Sequence, residues 1–296
     1  MSTLRQSETR RWRALRTGVR QSPAVTAPDR YIHGHSDSVL RSHRWRTAEN
    51  SAAYLLPHLT DGLGLLDVGC GPGTLTVDLA ARIGPTGKVV GVDISEEVIA
   101  EAAAHAARVG AANVTFRVGE FRALGLPNGS FDVVHAHQVL QHLRDPVGAL
   151  AAMGRLARPG GIVAARDGDY LSFLWTPADP RLDRWREIYM AVSEHLGVAA
   201  DAGRWLLRWA RDAGFTDVTY TTSTWTFATP ADRAWWGDLW AERIVASSLA
   251  EQAVEYGVAS RAELGEVAGG WRDWAGEPDA TFVLVHGEII ARTPSS

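Results

Sequence analysis

One cysteine, Cys70, occurs in 296 residues, so an intrachain disulfide is excluded and the thiol is expected to serve as a small buried apolar side chain. No run of about 18 apolar residues is present, which leaves no membrane span to expect. The N-terminus is rich in arginine but lacks the apolar stretch of a secretory signal, so a cytoplasmic location is expected. Histidines, acids and the cysteine nowhere take metal-ligand spacing, and the chemistry is expected to need no metal. Nor does one sign of charge dominate, the formal total being −4. It is unevenly spread: the first twenty residues carry six arginines against Glu8, a formal +5, which leaves about −9 for the rest. An acidic body opposes a polyanion, so nucleic acid is not an expected partner and residues 1–28 read as a basic, solvated or partner-docking arm ending in a proline-containing linker.

What the sequence does have is a glycine turn. Leu65 to Gly73 reads Leu-Leu-Asp-Val-Gly-Cys-Gly-Pro-Gly: an apolar strand, a turn with glycines at 69, 71 and 73, and then an amphipathic helix from Thr74 to about Arg82. Such a turn lets a ligand touch bare backbone beside a helix N-terminus. The dinucleotide fingerprint needs a third glycine three places after the second, and that place is Thr74. Pro72 also removes an N–H that a pyrophosphate would use. Both departures count against a nicotinamide oxidoreductase. They suit a ligand whose loop-facing part is a sugar and an amino acid, as in S-adenosyl-L-methionine.

The following strands agree. Lys88–Asp93 ends in a carboxylate placed to accept both hydroxyls of a ribose, and Val114–Val118 leads to Glu120 and Phe121, an acceptor for an adenine amino group beside an aromatic that can stack. A fourth strand begins at Phe131 and leads to His137. In this order the elements resemble class I S-adenosylmethionine-dependent methyltransferases, in particular the branch of the ubiquinone and menaquinone biosynthesis C-methyltransferases. The resemblance covers roughly residues 30–170. It implies an α/β fold: a Rossmann-like seven-stranded, mostly parallel sheet with an antiparallel last strand, N-terminal helices and a helical lid insertion. It also implies that Gly69, Gly71 and Gly73 lie against the methionine and ribose, that Asp67 anchors the amino group through its surroundings, that Asp93 holds the ribose, that Ile94 packs on adenine, and that His137 contributes backbone contacts. The family more commonly has Asp where Glu120 stands. Arg158-Pro159-Gly160-Gly161, before a fifth strand at Ile162–Arg166, is a structural signature.

The expected organisation follows: arm 1–28, N-terminal helical cap 29–60, cofactor-binding core 61–170, lid segment 171–200, core helix and strand 201–229, helical lid insertion 230–278, and last strand with tail 279–296. In the cap, one helix is expected after Ser36 or Asp37 and another from Thr47 through Leu56. Tyr31, His35, His43 and Arg46 are candidates to face the methionine carboxylate or the substrate, with Arg46 favoured because a guanidinium pairs bidentately with a carboxylate. Of 12 tryptophans, eight follow residue 200. Trp205 and Trp209, four apart, read as a core stripe of a helix over 202–213. Trp175, Trp235, Trp236 and Trp240 either pack the lid or wall an aromatic pocket for a flat or prenyl-like substrate.

Methyl transfer from a sulfonium requires alignment in a dry site, and a base only if the nucleophile must lose a proton. The candidate bases are His142, Asp167 and His137, in that order, at the carboxyl edge of the sheet. The expected activity is methylation of a small, largely apolar or aromatic natural product, at carbon rather than oxygen or nitrogen, with S-adenosyl-L-homocysteine as by-product; oligomeric state is left open. From another class, the same fold can bind S-adenosylmethionine as a non-transferring scaffold or cyclase. The glycine spacing predicts that S-adenosylmethionine and S-adenosylhomocysteine bind the protein while NAD and NADP do not. Calorimetry showing NADH binding without a S-adenosylmethionine signal would overturn that assignment.

Overall fold

A computed structural model describes Ile32 and residues 37–295. The arm, Tyr31, His35 and Ser36 lie outside the described residues. Five parallel strands, β1 (Gly64–Val68), β2 (Lys88–Asp93), β3 (Val114–Val118), β4 (Phe131–His137) and β5 (Ala157–Gly168), lie in the order β3-β2-β1-β4-β5. The chain winds outward from β1 to β3 and then returns to β4 on the other side. The crevice between the carboxyl ends of β1 and β4 is therefore the topological switch point, where open α/β sheets bind ligands. The last strand, β8 (Thr281–Arg292), runs antiparallel between β5 and β7 (Asp217–Phe227), as expected. An eighth strand, β6 (Leu174–Thr176), was not expected; it pairs antiparallel with the start of β8, inside the segment assigned to the lid.

The helices are α1 (Asp37–Arg44), α2 (Ala48–Ser51), α3 (Thr74–Arg82), α4 (Glu96–Val109), α5 (Pro146–Leu156), α6 (Pro180–Leu196), α7 (Leu206–Asp212), α8 (Pro230–Ala246), α9 (Ser248–Glu255) and α10 (Arg261–Gly276). No described helix is long and apolar enough to cross a membrane. The continuous helix expected over Thr47–Leu56 is only one turn long. Thr47 and Asn50 form a capping box that starts α2, but Ala52 leaves helical geometry at φ −139°. Asn50 also donates its amide to Trp45 O (3.0 Å), tying the turn back to the segment before it.

Helices α6, α8, α9 and α10 form a core of their own. Trp185 lies edge-on to Trp240 and Trp271 at 4.6 and 5.1 Å between centroids, and Phe282 on β8 joins that core to the sheet by stacking on Trp175 at 5.7 Å. The expected stripe of Trp205 and Trp209 is displaced: residues 202–205 form a 3-10 turn, and Leu206 and Ala210 are the buried positions of α7. The turn breaks the 3.6-residue period, which shifts the buried face by one residue.

That turn lies on bare sheet backbone. A Cβ on Gly287 would fall 2.0 Å from Gly203 O, and one on Gly203 would fall 2.7 Å from Asp167 O. Both atoms are backbone and cannot swing aside. Gly287→Ala should therefore cost about 3 kcal/mol and lower the thermal midpoint by roughly 6–12 °C. A midpoint unchanged in calorimetry would mean that the turn is free to lift.

Candidate active site

The three loop glycines all adopt left-handed conformations, with φ of +67°, +56° and +78° at Gly69, Gly71 and Gly73. Two of them are also required by packing: a Cβ at Gly69 would meet Val139 at 2.5 Å, and one at Gly73 would meet Ala102 at 2.8 Å. Gly71 differs, since its Cβ would meet only His43 Nδ1 at 3.5 Å. It is the least crowded of the three, with only a side chain, His43, near it. Gly71 N–H donates to Asp93 Oδ2 and Ser95 N–H to Oδ1, each at 3.1 Å, which holds the carboxylate at the end of β2. Gly119 N–H donates to Asp93 O (2.8 Å) and so brings the end of β3, with Glu120 and Phe121, beside it. Glu120 accepts from Arg122 Nε at 2.8 Å, and Phe121 is buried. Ile94, by contrast, is 58% exposed at the strand end.

Asp67 is buried under the loop. Its Oδ1 lies 2.8 Å from His135 Nδ1 and its Oδ2 accepts from Thr76 Oγ at 2.6 Å, so the carboxylate ties β1 to β4 and α3 rather than facing the crevice. Cys70 is buried as well, and burial pushes its thiol pKa well up.

Across the switch point lies a cavity lined by Trp45, Arg46, Gln138, Gln141, His142, Trp225, Trp235, Trp236, Trp240 and Arg243, among others, with about 30 Å3 of free space. Of the sequence-assigned residues, His43, Arg46, His142, Trp235, Trp236 and Trp240 meet here. Trp175 does not: it stacks on Phe282 beneath the Arg186 guanidinium. Arg46 Nη2 donates to Gln138 Oε1 at 2.6 Å. Arg243 is buried over the Trp240 ring, at 4.8 Å, and donates to Ser38 O and Ser42 Oγ. Trp45 lies edge-on to Trp225 at 5.0 Å and 5.5 Å from Trp235, so the N-terminal segment closes one side of the cavity.

The candidate bases differ sharply in environment. Burial, with Arg46 adding to it, lowers the His142 pKa to about 3. Burial also lowers His137 well below its ordinary range, and neither of its ring nitrogens has a hydrogen-bond partner. Burial raises Asp167 to about 7, against the backbone N–H donation from Gln141 that favours its charged form. Asp167 Oδ2 has no partner, but the carboxyl lies behind the Leu140–His142 turn that its Oδ1 holds. Sequence reasoning missed Gln138, Gln141 and Arg243 in the cavity wall. Gln138 alone carried a signal of sorts: it follows His137 at the end of a strand, and it takes φ +54°, the one left-handed non-glycine among the described residues.

The crevice fits S-adenosylmethionine on this chain's own atoms: a glycine loop least crowded at Gly71, a strand-end carboxylate at Asp93, and the uncovered apolar face of Ile94. Comparisons agree. A model of the methyltransferase domain family matches residues 59–214, more than half the chain. An uncharacterised methyltransferase of Schizosaccharomyces pombe is 33% identical over 269 residues, 88% of this chain and 95% of that protein. A demethylmenaquinone methyltransferase of Lactococcus lactis is 39% identical over 102 residues, 34% of this chain and 40% of that protein, in line with the quinone-branch resemblance. Among solved structures, the cyclase SpnF has a similar fold, with a TM-score of 0.51 at 22% identity over 91% of this chain and 89% of that one. The chain belongs to the methyltransferase domain family and is an S-adenosylmethionine-dependent methyltransferase.

Proposed function

We propose that the chain methylates a small, flat or prenyl-like natural product, of quinone, indole or terpenoid type, at carbon. The observation that carries this reading is the cavity walled by Trp45, Trp225, Trp235, Trp236 and Trp240 at the carboxyl edge of the sheet. Aromatic walls bury a flat apolar ligand and exclude water. When bound, S-adenosylmethionine supplies an electrophilic methyl group on a sulfonium. In this reading Asp93 accepts the ribose hydroxyls, Ile94 and Phe121 flank the adenine, Glu120 accepts from its amino group, and the backbone at Gly69–Gly73 and His137 lines the methionine part. Asp67 acts through Thr76 and His135, and Arg46 exchanges Gln138 for the methionine carboxylate, a charged acceptor that holds a guanidinium better than an amide does. Tyr31 was a further candidate for this site and lies outside the described residues.

The choice of carbon follows from the bases. His142 borders the cavity but titrates near 3, Asp167 titrates near 7 but lies behind the turn, and His137 is held neutral. No group of the three both borders the cavity and is basic at neutral pH. A carbon nucleophile, such as an electron-rich ring or alkene, attacks without prior loss of a proton, and the positive charge it develops is stabilised by tryptophan faces by about 0.5–2 kcal/mol each.

The experiment is a substrate panel of quinols, indoles and prenyl compounds in which S-adenosylhomocysteine is counted and the product is mapped by mass spectrometry. Methyl on carbon supports the reading, methyl on oxygen or nitrogen corrects it, and no S-adenosylhomocysteine with any acceptor would favour the non-transferring scaffold or cyclase. Asp93→Ala should weaken S-adenosylmethionine binding by about 2–4 kcal/mol, measured calorimetrically. At least one of Trp235→Leu, Trp236→Leu and Trp240→Leu should lose kcat about tenfold with that affinity preserved. If all three keep full kcat, the tryptophans are packing alone.

A further inference from the structure

The β7 edge of the sheet carries a second and roomier space. Residues of β7, of β8 and of the chain that follows α2 border a groove of about 570 Å3, inside the range of small-molecule sites and far larger than the tryptophan cavity. Strand alternation decides which side chains it receives: Asp217, Thr219, Thr221 and Ser223 share one face of β7, in register with Arg292, Ile290, Glu288 and His286 of β8. Two residues further along that face, Trp225 lines the tryptophan cavity and donates its indole N–H to Asn50 O of α2, so it stands between the two spaces.

The hydrogens in the middle of the groove are already committed. Thr221 Oγ1 donates to Glu288 Oε2 at 3.0 Å, Ser223 Oγ donates to Glu288 Oε1, and Arg166 Nε donates to the same Oε1 at 3.1 Å. What is left over is lone pairs, on the exposed Thr221 hydroxyl and on Glu288 Oε2. At the far end Asp217 and Arg292 are exposed, and their side chains make no hydrogen bond or ion pair with any described residue; the hydroxyl of Thr219, between Asp217 and Thr221, is likewise unbonded.

We propose that this groove binds a free, uncharged polyhydroxylated ligand the size of a pyranose. Lone pairs on Glu288, Thr221 and Asp217 call for ligand O–H donors, Arg292 calls for a ligand oxygen, and a polyol offers both on adjacent carbons. The two carboxylates are matched by two guanidiniums, Arg166 on Glu288 and Arg292 in register with Asp217, so an ion gains no net attraction. Hydroxyls two residues apart on a strand, as at Thr219 and Thr221, are roughly 7 Å apart, the span of a pyranose with its substituents. Ile290 and Tyr54, whose hydroxyl is buried, supply apolar surface for the C–H face of such a ring. The ligand is free rather than a sugar carried on the methyl acceptor, because Trp225 closes the way to the tryptophan cavity.

The test is NMR of protein labelled at its threonine methyls, with Thr219 and Thr221 identified by the signals lost in Thr219→Val and Thr221→Val. Methyl α-D-glucopyranoside should shift both signals saturably, with a dissociation constant on the order of 1 mM, and cyclohexanol, a ring with one hydroxyl, should shift neither. Read at the Thr219 methyl, Thr221→Val, which keeps the shape and removes the hydroxyl, should weaken the sugar several-fold, up to about tenfold. Asp217→Ala, at an exposed and unpaired side chain where folding is not at stake, should weaken it as well. Shifts that never saturate, equal shifts with cyclohexanol, or an affinity unchanged in both variants overturn the proposal.

Discussion

A carboxylate sealed from water must be held by protein donors, and Asp67 is the group on which this site is built. Moving such a charge out of water costs several kcal/mol unless its oxygens are engaged. Here both are: His135 reaches it from β4 and Thr76 from α3. Those two bonds join the strand before the glycine loop, the helix after it and the strand across the switch point, so the loop between them has fixed ends. Gly69 and Gly73 can then pack tightly against Val139 and Ala102, while Gly71 meets only the His43 side chain.

The core was legible because its signals are local. A strand, a glycine turn and a helix follow one another within twenty residues, and the acids at the strand ends are read by position alone. The seven strands were legible for the same reason, whereas β6 is only three residues long and exists because β8 extends past the end of β5. The wall of the cavity was not legible. Trp45, Trp225 and Trp235 come from three segments up to about 190 residues apart, and no spacing in the sequence signals their contact. Gln138 was passed over for its neighbour His137 because alternation along β4 sends successive side chains to opposite faces. The left-handed turn at Gln138 breaks that alternation and delivers the residue to the cavity. The tryptophans also show why packing and function are hard to separate in sequence: Trp236 and Trp240 belong to the core of the helical unit and to the cavity wall at once.

The free space of about 30 Å3 is far below the roughly 300 Å3 at which small-molecule sites begin. A small-molecule ligand fits there only if side chains part. Trp240 and Trp236 are fully engaged in the helical core and are poor candidates to yield. Trp45 is exposed and Trp235 only partly buried, and they lie against each other from opposite sides, one on the N-terminal segment and one on α8. Behind their contact, Arg243 of α8 donates to Ser38 O and Ser42 Oγ of α1, so the N-terminal segment is tied to the helical unit there as well.

Electrostatics sets what can occupy the opened space. Arg166 is buried, with a pKa lowered to about 10 by burial, and remains charged in its pairing with Glu288 at 3.1 Å; its Nη2 lies 3.0 Å from His286 Nδ1. A charged guanidinium on one side and Arg46 on the other, both in a poorly hydrated region, depress His137 and His286 together with the effect of burial. The histidines at this edge of the sheet are thus neutral for a common reason and add no positive charge to a site that must tolerate a sulfonium. The remaining positive charge sits on guanidiniums, whose fork geometry suits a carboxylate or an electron-rich oxygen.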